Sequence, residues 1–168
     1  GSLVAINAQA SDGTVQVQGS ISDGSCTVNI QNSGSSAGNV VLGNVPKSQF
    51  NGVGSTAGGA DGLASIDVEL TGCPATQTPA YVAFDGEYYN GNSDYLKLSG
   101  YGDKGVAAGV AIKLMDGNGN HMKLGTKSPA ITLTGGSADV DFKANYVQVE
   151  KDIVEGTANA TATMLISY

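Results

Sequence analysis

From residue 157 to residue 168 the chain alternates with a period of two. Ala158, Ala160, Ala162, Met164, Ile166 and Tyr168 fall on one side, and Thr157, Asn159, Thr161, Thr163, Leu165 and Ser167 on the other. Side chains of a strand point alternately to its two faces, so this segment is predicted to be a long strand with one buried face. At the end of a chain such a strand is an open edge whose unpaired backbone groups invite another strand to cover it. Near the opposite end, residues 3–10 form an apolar arm with no evident place in the sheet system of its own chain. An edge that needs a strand and a strand that needs an edge, on one chain, make a head-to-tail contact that does not close and so grows a filament.

The rest of the sequence reads as strands and turns. With 25 Gly, no Trp and only 14% charged residues in 168, the composition favours many turns over long helices, and the length suits one domain with its own core. Short alternating or apolar runs at 14–18, 26–30, 39–43, 63–70, 80–84, 106–115, 121–124, 129–134, 138–146 and 157–168 are predicted strands. In the run 63–70, Ala64, Ile66, Val68 and Leu70 share the apolar face. Asp116-Gly117-Asn118-Gly119 marks a hairpin turn, because Asp-Gly and Asn-Gly supply the positive φ such turns need, and 47–62 is predicted to be a long loop. Short strands with frequent turn signals and no helical period indicate an all-β, two-sheet sandwich.

Charge and hydropathy exclude several functions. All eight basic residues are Lys against 15 acidic ones, a formal net charge of -7, so the positive footprint that grips phosphates is missing and no nucleic acid partner is expected. No apolar run approaches the ~18 residues that span a bilayer, so no direct membrane insertion is expected. Gly1-Ser2 reads as a cloning remnant with no basic and apolar leader behind it, as though an export signal had already been removed. Cys26 and Cys73 have the spacing of neither a zinc knuckle nor a CxxC pair. A single disulfide is the simplest pairing, stabilising by about 4 kcal/mol in the chain-entropy account and implying an oxidising compartment; two buried free thiols are the alternative.

Motifs that suggest catalysis are isolated. Gly34-Ser35-Ser36-Ala37-Gly38 has the G-x-S-x-G spacing, but it lies in a Gly/Ser loop and His121 is the chain's one imidazole. Residues 52–57 mimic a dinucleotide fingerprint without the strand before it or the helix after it. Residues 116–120 begin like a calcium loop, yet His121 and Lys127 stand where Gly and Glu are required. Asp85 and Glu87 flank a tyrosine-rich loop as two glycosidase carboxylates could, though acidic residues beside a turn are usually just solvated. No enzyme, no metal and no cofactor is therefore expected. The loop 87–105 holds four of the seven tyrosines, Tyr88, Tyr89, Tyr95 and Tyr101, and rings of this kind offer a sugar or peptide a flat apolar face with a polar handle. That supports an alternative reading, a secreted monomeric lectin-like sandwich that binds glycan; packing over the sandwich end is the simpler account.

The order and spacing of several segments carry a resemblance over nearly the whole chain. Gly13-Thr14-Val15-Gln16-Val17-Gln18-Gly19 leads to Cys26. Then come Val68-Glu69-Leu70-Thr71-Gly72-Cys73-Pro74, Gly109-Val110-Ala111-Ile112-Lys113-Leu114-Met115-Asp116, and a terminal strand framed by Gly156 and Tyr168. In these features the sequence resembles the subunits of chaperone-usher pili, close to the type 1 and P pilus major pilins. The resemblance implies an incomplete immunoglobulin-like β-sandwich, the pilin fold, completed by a donated strand. It implies residues 1–17 as an N-terminal donor arm and 18–168 as the pilin domain.

The same resemblance implies a structural, non-enzymatic subunit of a surface fimbria that supports cell adhesion. Such a subunit polymerises by donor-strand exchange and is exported through the periplasm of a Gram-negative bacterium. Its partners would be neighbouring pilin subunits, a periplasmic chaperone and an outer-membrane usher. Cys26 and Cys73 would form the family's disulfide. Gly156, Ala158, Ala160, Ala162, Met164, Ile166 and Tyr168 would border the groove that chaperone and neighbouring subunit fill. The family's arm glycine maps to Gly13, but residues of its parity, Ser11, Gln9 and Asn7, are polar. Val4, Ile6, Ala8 and Ala10 fill a groove better and have the other parity, so they would join Gly13 and Val15 on one face only past a bulge near Asp12-Gly13.

Overall fold

A computed structural model describes residues 13–21, 26–74 and 79–168 of the chain. Nine strands follow in order: β1 (Thr14–Ile21), β2 (Thr27–Ile30), β3 (Ala37–Val41), β4 (Thr56–Ala57), β5 (Ala64–Thr71), β6 (Tyr81–Gly86), β7 (Val110–Met115), β8 (Ala138–Gln148) and β9 (Ala160–Ser167). Among the described residues, helix is confined to two 3-10 turns, Lys47–Gln49 and Tyr89–Gly91. One sheet has the order β3-β1-β9-β6. In the other, β2 pairs with β5 and β5 with β8, while β7 lies along the opposite side of β8 and β4 continues the β5 side past Ala144.

The two sheets close on one core, because each strand turns its apolar parity inward. Ala64, Ile66, Val68 and Leu70 of β5 are buried as their alternation requires, facing Ala160, Ala162, Met164 and Ile166 of β9. Phe84 of β6 and Phe142 of β8 meet edge to face at 5.2 Å, the geometry that aromatic quadrupoles favour, and tie one sheet to the other. Cys26, just before β2, and Cys73, just after β5, form a disulfide that closes the end of the β2–β5 ladder.

Several predicted strands are shorter in the structure. The run 106–115 becomes β7 only from Val110: Gly109 has φ +83°, and a Cβ there would lie 2.3 Å from the carbonyl oxygen of Asp152. Residues 121–124 keep a single bridge, His121 to Met115, and 129–134 keep bridges at Ile131 and Thr134. The predicted strand at 39–43 moves to Ala37–Val41, and Leu42 and Gly43 instead donate to the carbonyl of Gly13. The loop 47–62 contributes β4 where Thr56 and Ala57 reach Val147 and Tyr146.

Candidate functional site

The first described strand occupies the slot beside the last one. β1 runs parallel to β9, with Val15 opposite Ala160, Val17 opposite Ala162, Gly19 opposite Met164 and Ile21 opposite Ile166. Its other edge runs antiparallel to β3, from Thr14 opposite Val41 to Gln18 opposite Ala37. β1 is thus all that separates β3 from β9. Val15 and Val17 are fully buried, each stabilising by about 1.5–3 kcal/mol, while Gln16 and Gln18 of the other parity face solvent. Past Gln18 the pairing with the β3 side continues through the Gly19 N–H, which donates to the Ser36 carbonyl at 2.7 Å. At the start of β1, the Thr14 N–H donates to Asn159 Oδ1 at 3.0 Å.

The expected groove residues divide into three sets. Ala160, Ala162, Met164 and Ile166 lie in β9 and face β1 and the core. Gly156 and Ala158 precede β9 and line a cavity of about 410 Å³ at the end of the slot where β1 begins. Val45, Phe50, Val110, Tyr146 and Ile153 make its apolar wall. Gly156 has no space for a side chain, since a Cβ would lie 2.6 Å from the Ala107 nitrogen and the Gly105 oxygen. Tyr168, past the end of β9, donates its hydroxyl to Cys26 Sγ at 2.5 Å, so the terminal strand is pinned to the disulfide.

Of the expected donor residues, Gly13 and Val15 lie at the start of β1, both buried, whereas Val4, Ile6, Ala8 and Ala10 lie outside the described residues. Val17 and Gly19 share the inward face with Val15 and were not among the expected donors. The signal for them is the strict alternation of Thr14-Val15-Gln16-Val17-Gln18, which already placed both valines on one side. β1 also crosses the expected boundary between residues 17 and 18 as one unbroken strand.

The side chains singled out for catalysis have separate partners. Ser36 Oγ accepts from Gln18 Nε2, His121 Nε2 meets the Asp94 carbonyl, and Glu87 pairs with Lys97 at 3.4 Å. Asp116 caps its hairpin by accepting the N–H groups of Asn118 and Asn120. Burial alone would raise its pKa, but these bonds and the Asn120 side-chain amide outweigh it and hold the carboxyl below 3.8. Among the described residues no group of three or more His, Cys, Asp or Glu could hold a metal ion, and no helix is long and apolar enough to cross a membrane.

Residues 15–168, from the second residue of β1 through β9 to the last residue, match the sequence model of the fimbrial proteins. The chain belongs to the fimbrial protein family. It is 33% identical to a type-1 fimbrial protein subunit of Serratia marcescens, over 99% of this chain and 92% of that one. The type I fimbria protein and antigen of Burkholderia pseudomallei superposes with a TM-score of 0.64 at 30% identity, over 94% of this chain and 99% of that one. The P pilus rod subunit PapA shares the fold, with a TM-score of 0.63 at 22% identity, over 86% of this chain and 99% of that one. This fimbrial protein therefore has the pilin fold, and it is a structural pilus subunit that associates with other pilins in surface fimbriae. Its family is not an enzyme family.

Proposed function

We propose that this fimbrial protein polymerises by donor-strand exchange, with β1 as the donated strand and the slot between β3 and β9 as the acceptor. The placement of β1 carries this reading: it fills that slot and it lies on the N-terminal side of the whole domain. A strand that precedes the rest of the domain in sequence can be withdrawn without threading any of the domain's loops. The parallel arrangement is then a self-capped subunit, in which the chain's own β1 protects β9 until a neighbour replaces it.

Direction distinguishes a self-capping strand from a donated one. In its own slot β1 runs parallel to β9, whereas a strand from another copy can enter running the other way. Because β3 and β9 run antiparallel to each other, a reversed strand would pair antiparallel with β9 and parallel with β3, so a reversal exchanges the two kinds of ladder between the edges of the slot. Among the described residues a cavity beside Gly156 and Ala158 continues the slot past the start of β1, and an incoming strand can seat there before β1 is displaced.

On this reading the donor arm extends through Ile21, and the domain that receives a strand begins at Cys26. A periplasmic chaperone caps the slot before assembly, an outer-membrane usher passes the subunit out, and the fibre supports cell adhesion without catalysis. Electrophoresis in detergent, with and without boiling, tests it. A ladder at multiples of the subunit mass that collapses on boiling is expected; a single monomer band from preparations concentrated under assembly conditions would overturn it.

A further inference from the structure

The tyrosine-rich loop is not used by strand exchange, and its rings have separate duties. Tyr89 and Tyr101 both donate to Glu150 Oε2, at 2.7 and 2.8 Å, and meet edge to face at 5.4 Å. Tyr95 instead stacks on His121, with centroids 5.2 Å apart and planes 17° from parallel. Between this loop and the tip of the glycine-rich segment at Val53 and Gly54 is a cleft of about 200 Å³, lined by Tyr89, Asn90, Asn92, Asp94 and Tyr95 among others. Both rings are thus held from outside the cleft.

The polar groups of the cleft are held in place and partly unused. The Asp94 N–H donates to Asn92 Oδ1 at 2.9 Å, and His121 Nε2 meets the Asp94 carbonyl oxygen at 2.6 Å. Asp94 Oδ1 lies 3.4 Å from Lys123 Nζ. Among the described residues, Asp94 Oδ2, the Asn92 amide nitrogen and the Asn90 side chain have no hydrogen-bond partner. Asn90 has φ 55°, a left-handed conformation that turns this part of the loop back on itself.

We propose that this cleft is a binding site for one neutral pyranose ring of a glycan. The ring's apolar C–H face would lie on the aromatic wall of Tyr95 and Tyr89, and its hydroxyls would meet Asp94 Oδ2 and the Asn90 and Asn92 amides. A carboxylate beside two amides accepts from and donates to adjacent hydroxyls, the pattern by which fixed polar groups read a sugar. The size of the cleft admits a single ring rather than an extended peptide. Lys123 neutralises Asp94, and the chain's net charge of -7 disfavours an acidic sugar. Such a site would make the subunit itself a weak glycan receptor, repeated along the fibre, where many weak contacts add up.

The test is saturation-transfer NMR on the full chain with methyl β-D-galactopyranoside, whose H3, H4 and H5 share one apolar face, and with the α-methyl glycosides of glucose and mannose. Transfer to the ring C–H protons of at least one sugar is expected, with loss in Tyr95→Ala. Asn90→Gly keeps the positive φ, because glycine adopts it freely, and is expected to weaken binding at least tenfold in a chain that stays folded. No transfer from any of the three sugars, or transfer unchanged in Asn90→Gly, would overturn the proposal. The readout does not involve β1, so failure here leaves strand exchange standing, and failure of the detergent ladder leaves this site standing.

Discussion

Gly19 of β1 stands opposite Met164 of β9, so close that a Cβ on it would lie 3.2 Å from Met164 Cε and 3.1 Å from both Val28 Cγ1 and Ile30 Cδ1. Its φ is not positive, so the need for glycine here is space and not backbone conformation. Both sheets contribute to the crowding, Met164 from one and Val28 and Ile30 from the other.

Gly19→Asn should therefore act on the slot and not on the rest of the fold. The three neighbours are side-chain ends that can give by a few tenths of an ångström, so alanine is tolerated. The larger asparagine would overpack the site and bury an amide without partners. A loss of about 1–3 kcal/mol is expected in the self-capped monomer, read as a lower urea midpoint. An unchanged midpoint would show that Gly19 does not face the core in solution.

The disulfide should matter for more than the strands it joins. Cys26 and Cys73 are 47 residues apart, and opening a loop of that length costs about 4 kcal/mol through the unfolded state. Because the Tyr168 hydroxyl rests on Cys26 Sγ, the double variant Cys26→Ser/Cys73→Ser should also loosen the end of β9. Hydrogen exchange should then be faster at Leu165, Ile166 and Ser167 than at Val68 in β5. Equal acceleration in both strands would count against the link to Tyr168.

The residues that revealed the sandwich are those whose environment has a simple period. Ala64 to Leu70 and Ala160 to Ile166 alternate without interruption because one face is core and the other solvent, so the sequence reads directly as structure there. From Ala144 to Gln148 every residue of β8 is buried, because the loop 43–63 folds over the outer face, and alternation disappears. Gln148 holds that loop down: its Oε1 accepts the Gly52 N–H, a pairing distant in sequence that no local pattern encodes. The alternation of 157–168 suggested a strand that needs covering, and β9 lies between β1 and β6, paired with both. Which strand fills the slot was less legible, since residues 3–10 and 14–18 both read as apolar or alternating, and only the pairing register assigns Val15 and Val17 to it.

Stability should depend on pH through the outer face of β5 and β8. Asp67 lies across from Asp141 and shares a hydrogen bond with Asp139. That bond, then burial, then repulsion from Asp139, Asp141 and Glu69 push its pKa from 3.8 up to about 6. Lys143, 3.9 Å from Asp141 and bonded to Ser65 Oγ, is the nearby cation, and Asn29 donates to Glu69. The folded state holds the Asp67 proton more tightly than the unfolded chain does. This contribution is thus favourable below pH ~4 and is lost as pH rises to about 6. Urea midpoints measured from pH 4 to 7 should fall over that window. In Asp67→Asn the decline should flatten and the midpoint at pH 7 should rise; a decline of unchanged size would exclude Asp67 as its source.

Two truncations distinguish the stretch 3–10 from β1 as the donated strand. Removing residues 3–12 leaves Gly13 and all of β1, so the self-capped monomer should keep its thermal midpoint, and a chain whose donor is β1 should still form the detergent-resistant ladder. Removing residues 3–21 takes β1 away, leaves the edges of β3 and β9 unpaired, and uncovers Ala160, Ala162, Met164 and Ile166. Apolar area is worth about 25 cal/mol for every Å² kept from water, so this shorter chain should be unstable alone. A synthetic peptide of residues 13–21 should restore it, raising the midpoint with peptide concentration as mass action requires. A ladder lost on removing residues 3–12 would instead assign donation to the face that carries Val4, Ile6, Ala8 and Ala10. β1 would then be a fixed strand of the domain, and the shorter truncation, not the longer, would mark the arm's boundary.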